Sequence, residues 1–243
     1  MNTNTITLPE TAAMKPAFQA VHEAMHRGQI NYQDFGNNHA LKTASDALGY
    51  LWEGQASINE LRTKPDPEHT PARHTRVVNE AITSFSHNAA SKLQSAKDDI
   101  KSELARVEVD LEKAANLKPI SHHFDAITST FHNMNDGQRA AALDQLIRDA
   151  DGPSLAALIE APLFVTGLSP EQRNSIKLRL YAKFNPAGLA LSQQLTKALA
   201  KAEAASLANI NGLALLRADT DRFTNKVNEA RAIAVKANVG FSA

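Results

Sequence analysis

Between Thr70-Pro71 and Pro119 the chain runs without a glycine or a further proline, and its apolar residues keep one strict spacing. Val78, Ile82, Phe85, Ala89, Leu93, Ala96, Ile100, Leu104, Val107, Leu111 and Ala115 follow one another at intervals of four or three. From Ile82 onward a 3-4-4 unit repeats, so Ile82, Leu93, Leu104 and Ala115 are equivalent positions. An 11-residue repeat corresponds to about 3.67 residues per turn, so its seam barely drifts around a straight helix and favours at most a slight right-handed coil. The spacing predicts one helix over residues 70–117, roughly 70 Å long at 1.5 Å per residue. Thr70 supplies the N-cap and Pro71 the first helical position. A seam of this kind must be covered, either by the same chain folded back or by another subunit. Ile82, Phe85, Leu93, Ile100, Leu104, Val107 and Leu111 are the candidate interface residues.

A second long helix is signalled by Asn185-Pro186, again a cap followed by proline, and extends over residues 186–238 with Gly212 as its weak point. Its apolar candidates are Leu195, Leu199, Ala202, Leu213, Leu216, Phe223, Val227, Ala230 and Ala234, interrupted by Ser206, Asn209 and Thr220. The segment between the two long helices is long enough to reverse direction and reads as short helices. Ser121 and Asp136 open two of them, Gly152-Pro153 a third, and Ser169-Pro170 with the capping-box residue Gln172 a fourth, ending near Phe184. The apolar stretch Pro162-Leu163-Phe164-Val165-Thr166-Gly167-Leu168 lies between the last two and is expected to plug the end of the core, with binding of a partner as the alternative. Alanine makes up about one residue in six and aromatics only 5%, which suits close helix seams. No run of period-two alternation argues for strands. The fold class is therefore all-α: an elongated helical bundle whose two long helices, 70–117 and 186–238, pack in a coiled-coil-like manner with short helices between them.

Residues 1–68 differ in texture, with Gly28, Gly36, Gly49 and Gly54, several Asn, and helical patches over 10–26 and 38–52. Pro65-Asp66-Pro67 reads as a linker. Two regions follow: 1–68, with short helices and loops, and 69–243, the elongated helical domain. The absence of cysteine excludes disulfide frameworks and Cys-based metal sites. No apolar run is long enough for a membrane span, and residues 1–7 lack the basic and apolar parts of a secretory signal. A cytoplasmic location, or a particle assembled there such as a virion, is expected.

Net charge is zero overall, yet residues 169–243 hold 11 Lys and Arg against five Asp and Glu, while residues 119–168 hold two against six. Arg217, Arg222, Lys226, Arg231 and Lys236 form a candidate basic docking face for an acidic partner, protein or nucleic acid. No aromatics are interleaved with them, which argues against stacking on single strands. One catalytic pattern occurs: His22-Glu23-Ala24-Met25-His26 matches H-E-x-x-H. On a helix, His22 and His26 would share a zinc ion and Glu23 would act as base toward its bound water, as in a zinc-dependent metallopeptidase. Arg27 and Gly28 replace the residues that usually follow, and a third ligand would have to come from His39, Asp46 or Glu53. His122, His123 and His132 could be read as a second metal cluster, but adjacent histidines diverge by about 100° on a helix. No Gly-rich phosphate loop, G-x-S-x-G or cysteine nucleophile accompanies these. The expectation is a non-enzymatic chain with no cofactor.

Residues 155–171, Leu-Ala-Ala-Leu-Ile-Glu-Ala-Pro-Leu-Phe-Val-Thr-Gly-Leu-Ser-Pro-Glu, resemble small helical proteins encoded among bacteriophage virion genes. The resemblance implies a virion component or morphogenesis factor packing on capsid, portal or tail proteins. Scaffolding proteins of that kind often carry a basic helical C-terminus, similar in sign to this one. The charged fraction here, 21%, is lower than flexible scaffolds show, which argues against a purely transient scaffold. The expected function is a helical structural or interaction protein, homo-oligomeric or bound to virion proteins, in a larger assembly.

Overall fold

A computed structural model describes residues 30–64, 66, 68–118 and 123–240. The fold is all-α, with no strand among the described residues. After a 3-10 turn at Gln33–Phe35 come α1 (His39–Thr63), α2 (Pro71–Ala114), α3 (Phe124–His132), α4 (Asp136–Asp149), α5 (Gly152–Glu160), α6 (Leu163–Thr166), α7 (Pro170–Phe184) and α8 (Pro186–Gly240). Their starts follow local chemistry. The Thr70 hydroxyl accepts from Arg73 N (3.3 Å), and Asn185 Oδ1 accepts from Gly188 N (2.8 Å). Asn135 with Gln138 and Ser169 with Gln172 close full capping boxes. No helix among the described residues is long and apolar enough to cross a membrane.

Two compact units divide the chain differently from the boundary expected near residue 68. One takes Lys101–Lys197, and the other joins the described residues up to Ile100 with those from Ala198 onward. Both long helices therefore contribute to each unit. The reason lies in α1, which extends well past Trp52 and buries Leu41, Ala44, Leu48, Leu51 and Ile58 as core rather than standing apart.

In the first unit α1 runs antiparallel to α2. His39 approaches Asp99 (4.0 Å), and further along α1 Tyr50 stacks on Phe85 with ring centroids 5.6 Å apart. One edge of the Phe85 ring, at Cε2 and Cδ2, lies against Gly54, where a Cβ would overlap it. The 3-4-4 seam is buried within this single chain: Ile82, Phe85, Leu93 and Ile100 here, and Val107 and Leu111 in the second unit. Leu104 alone among the candidate interface residues is half-exposed. The two long helices pack closely, so the residues expected to hold subunits together serve the internal core.

The buried face of α8 keeps the expected Leu195, Ala202, Leu213 and Leu216 and adds small or polar residues between them. Leu195, Ala198, Ala202, Ala205, Asn209, Gly212 and Leu216 are buried, a heptad spacing built mostly from small or polar residues. Leu207, Ile210 and Leu215 point to solvent, and Leu199 is only half-buried. Asn209 sits in the seam because Gln55 Nε2 of α1 donates to its Oδ1 at 3.3 Å, a buried amide pair that fixes the register of α1 on α8.

Gly54→Ala gains about 1 kcal/mol of helix propensity but drives a methyl into the Phe85 ring, so net destabilisation of about 1–3 kcal/mol is expected in urea unfolding, relieved by Phe85→Leu. Asn209→Leu strands the Gln55 amide and is expected to cost about 1–3 kcal/mol, whereas the double variant with Gln55→Leu returns close to wild type. A loss for the double variant equal to the sum of the two single losses would show that the two amides do not depend on each other.

Candidate interaction surface

The second unit packs short helices, whose ends pose its main chemical problem. The last four carbonyls of every helix lack partners within the helix. In this unit three cations supply them. Arg139 of α4 donates from Nε to Phe131 O (3.2 Å) and from Nη2 to His132 O (2.8 Å), closing the end of α3. Lys183 of α7 donates to Ile147 O (3.2 Å) and Arg148 O (2.8 Å), closing α4. Arg173 of α7 donates from Nη1 to Ile159 O (3.0 Å) at the end of α5 and from Nε to Leu168 O (3.0 Å), and its Nη2 lies 3.5 Å from the Thr166 hydroxyl.

Arg173 thereby holds both sides of the stretch that carries α6. That stretch is expected to plug the core, and only part of it does. Thr166 and Leu168 are buried, but Leu163 is 55% and Phe164 82% exposed. Gly167, at φ 71, ends α6 in the left-handed region, and its N–H closes on Leu163 O at 2.6 Å. From the other side His132 Nδ1 lies 2.8 Å from Val165 O, which requires the proton on Nδ1. Leu163 and Phe164 thus project from a knuckle that is tied at Ile159, Val165, Thr166 and Leu168. At the foot of α7 the Ser169 hydroxyl and the helix backbone hold the Glu171 carboxyl below its usual range.

Beside the knuckle's supports, α3, α4 and the start of α5 enclose a groove of about 650 Å³. Phe131 and Leu158 form its buried floor, while Ile127, Met134, Ala142 and Leu146 are half-buried walls. Asp151, Gln145, Ser154 and His123 add polar groups to the lining, and the Arg139 guanidinium lies over the Phe131 ring at 5.8 Å. Asp151 caps α5 through Ser154 N (3.1 Å), and Gln145 donates to both carboxylate oxygens of Asp149 (2.8 and 2.7 Å). A second cavity, about 580 Å³, lies in the first unit and is lined by polar groups including Thr75, Asn79, Thr83 and Asn228, with Arg76 paired to Glu80 at 2.8 Å.

The basic surplus is largely spent inside the second unit. Besides Arg173 and Lys183, Lys177 pairs with Glu112 (2.9 Å) and Arg179 with Asp144 (2.9 Å). Of the candidate docking face, Arg217, Arg222 and Lys226 are exposed, and the side chains of Arg231 and Lys236 lie outside the described residues. Arg217 and Lys226 stand nine residues apart on one helix, about 180° around its axis, so they project on opposite sides. They do not make one face. His22, Glu23 and His26 also lie outside the described residues. The three alternative third ligands, His39, Asp46 and Glu53, recur every seven residues along α1, so each stands about 10 Å from the next along the helix. Asp46 accepts from Lys42 at 2.6 Å. No group of three or more His, Asp or Glu comes together for a metal among the described residues. His123 lines the groove, and His132 braces the knuckle rather than a metal.

Sequence reasoning missed the knuckle's exposure, although the signal was present in Gly167 and the cap at Ser169, which stop α6 before its apolar face can turn inward. No family model matches the chain, and no curated protein or solved structure matches it.

Arg173→Lys keeps the charge but loses the fork that spans three acceptors. A loss of about 2 kcal/mol is expected, lowering Tm by about 4–8 °C in calorimetry; an unchanged Tm would remove Arg173 from its bracing role.

Proposed function

We propose that the chain is a non-enzymatic helical interaction protein, a component or assembly factor of a larger particle. The observation that carries this reading is Phe164, an aromatic ring held 82% exposed on a knuckle braced from both sides. Aromatic anchors on rigid supports are what dominate binding energy at protein interfaces. Support also comes from Leu207, Ile210 and Leu215, further exposed apolar side chains on α8. The resemblance of residues 155–171 to phage virion proteins coincides with α5, the knuckle and the cap of α7, and a virion or morphogenesis role is the particular form of particle it suggests. Neither the zinc peptidase nor the nucleic-acid alternative gains a specific observation to favour it.

The lack of native cysteine makes the test direct. Leu163→Cys places a unique thiol beside an intact Phe164, and Val109→Cys gives an exposed control on α2. In cells producing the protein, the thiol at position 163 is expected to react slowly with maleimide in the fast-sedimenting fraction and quickly in purified free chain, while the thiol at position 109 reacts quickly in both. Equal reactivity at position 163 in the two fractions would overturn the knuckle as the contact.

A further inference from the structure

The chain contains three steps from Asp or Asn to Gly: Asp136-Gly137, Asp151-Gly152 and Asn211-Gly212. At such a step the glycine nitrogen, unshielded by a Cβ, can attack the side-chain carbonyl before it, provided that the nitrogen is free and the side chain can turn to it. The fold closes two of the three. Asp151 spends its carboxylate on Ser154 N (3.1 Å), and the buried Gly152 donates from N to Ala150 O (2.9 Å). Gly212 is buried deep in α8, with its N–H in the helix ladder. Neither lock is present at Asp136-Gly137. Asp136 is the first residue of α4, and its fully exposed side chain is approached by Arg139 Nη1 at 3.7 Å. Gly137 N belongs to the first turn, whose N–H groups have no partner within the helix, and the Asn135 side chain caps Gln138 N (3.0 Å) instead. A Cβ at Gly137 would meet Asn135 Oδ1 at 3.5 Å and no other neighbour.

We infer that Asp136 is a site of spontaneous backbone isomerisation, an ageing point set at the junction of α3 and α4. Gly137 N attacks Asp136 Cγ and gives up its proton, one carboxyl oxygen leaves as water, and a five-membered succinimide closes. Water then opens either carbonyl, restoring aspartate or giving isoaspartate, whose main chain runs through the side-chain carboxyl and is one methylene longer. The water lost in the first step returns in the second, and no other reactant is consumed. The position gives the change its consequence. Asn135 Oδ1 with Gln138 N (3.0 Å), Asn135 N with Gln138 Oε1 (3.0 Å) and Arg139 N with Asn135 O (2.9 Å) all straddle residue 136, and a longer main chain between them breaks the capping box. Arg139, which closes α3 at Phe131 O and His132 O, starts from that same turn.

The full chain is incubated at neutral pH, native or unfolded in guanidinium, and isoaspartate is located by peptide mapping with electron-transfer fragmentation. Trypsin places the three steps on three different peptides, cutting after Arg139, Arg148, Lys201 and Arg217. In the native chain isoaspartate is expected to accumulate at position 136 ahead of 151 and 211. Unfolding is expected to speed 151 and 211 by about tenfold or more, because their amides must first open locally, and to change 136 far less. Native formation at 151 or 211 as fast as at 136, or an equal acceleration of all three on unfolding, would overturn the assignment. Asp136→Glu, which keeps the charge but would need a six-membered ring, and Gly137→Ala, which shields the nitrogen, are each expected to suppress the product. Wild type enriched in isoaspartate at 136 is expected to melt about 2–4 °C below fresh protein, the loss of one cap, while Asp136→Glu incubated alongside keeps its Tm. An unchanged Tm in that enriched wild type would overturn the coupling of residue 136 to the cap.

Discussion

A chain that connects helices of 4 to 15 residues creates carbonyls without partners faster than it creates core, and the second unit depends on how those carbonyls are met. Arg139, Arg173 and Lys183 each leave their own helix to close the C-terminal end of another. A cation at that end also meets the negative pole of the helix dipole. The three contacts do what bulky side chains do elsewhere: they set how α3, α4, α5 and α7 approach one another. Only Arg has the planar fork for Ile159, Thr166 and Leu168 together, so Arg173 is where the position of the knuckle is decided.

The first unit meets its constraint by other means. Small residues on α8, Ala198, Ala202, Ala205 and Gly212, let the backbone approach its neighbours closely, and Gly54 does the same for α1 under Phe85. Close approach of smooth surfaces specifies register poorly. The buried pair of Gln55 and Asn209 restores that specificity, because a slip by one residue would bury two amides without partners.

Much of the architecture was legible in residue order alone. The caps at Thr70, Asn185 and Ser169 and the prolines that follow them locate α2, α7 and α8 closely, and the 3-4-4 spacing names the buried face of α2 with Leu104 the one half-exposed candidate interface residue. The seam of α8 was legible by hydrophobicity at Leu195, Ala202, Leu213 and Leu216 but not at Ala198, Ala205, Asn209 and Gly212, which are small or polar. A heptad count that admits Ala, Gly and Asn would have found it. A proline-rich stretch at 65–67 punctuates the sequence, whereas the packing of Gly54 and Tyr50 on Phe85 joins α1 to α2 within one compact unit. Charge misled most, since sequence cannot tell a cation that caps a helix from one that meets a partner.

Covering the seam within one chain changes where association can reside. Once Ile82, Leu93, Ile100 and Leu111 are buried there, the long seam has nothing left to offer a second subunit without unfolding the first. An exposed phenylalanine on a floppy loop would lose much of its binding energy to ordering, but one held by hydrogen bonds to Ile159, Val165 and Leu168 has met that cost during folding. The division is consistent with the chemistry of each part: the seam spends its apolar surface on stability, and the capped short helices leave Leu163 and Phe164 exposed on a braced turn.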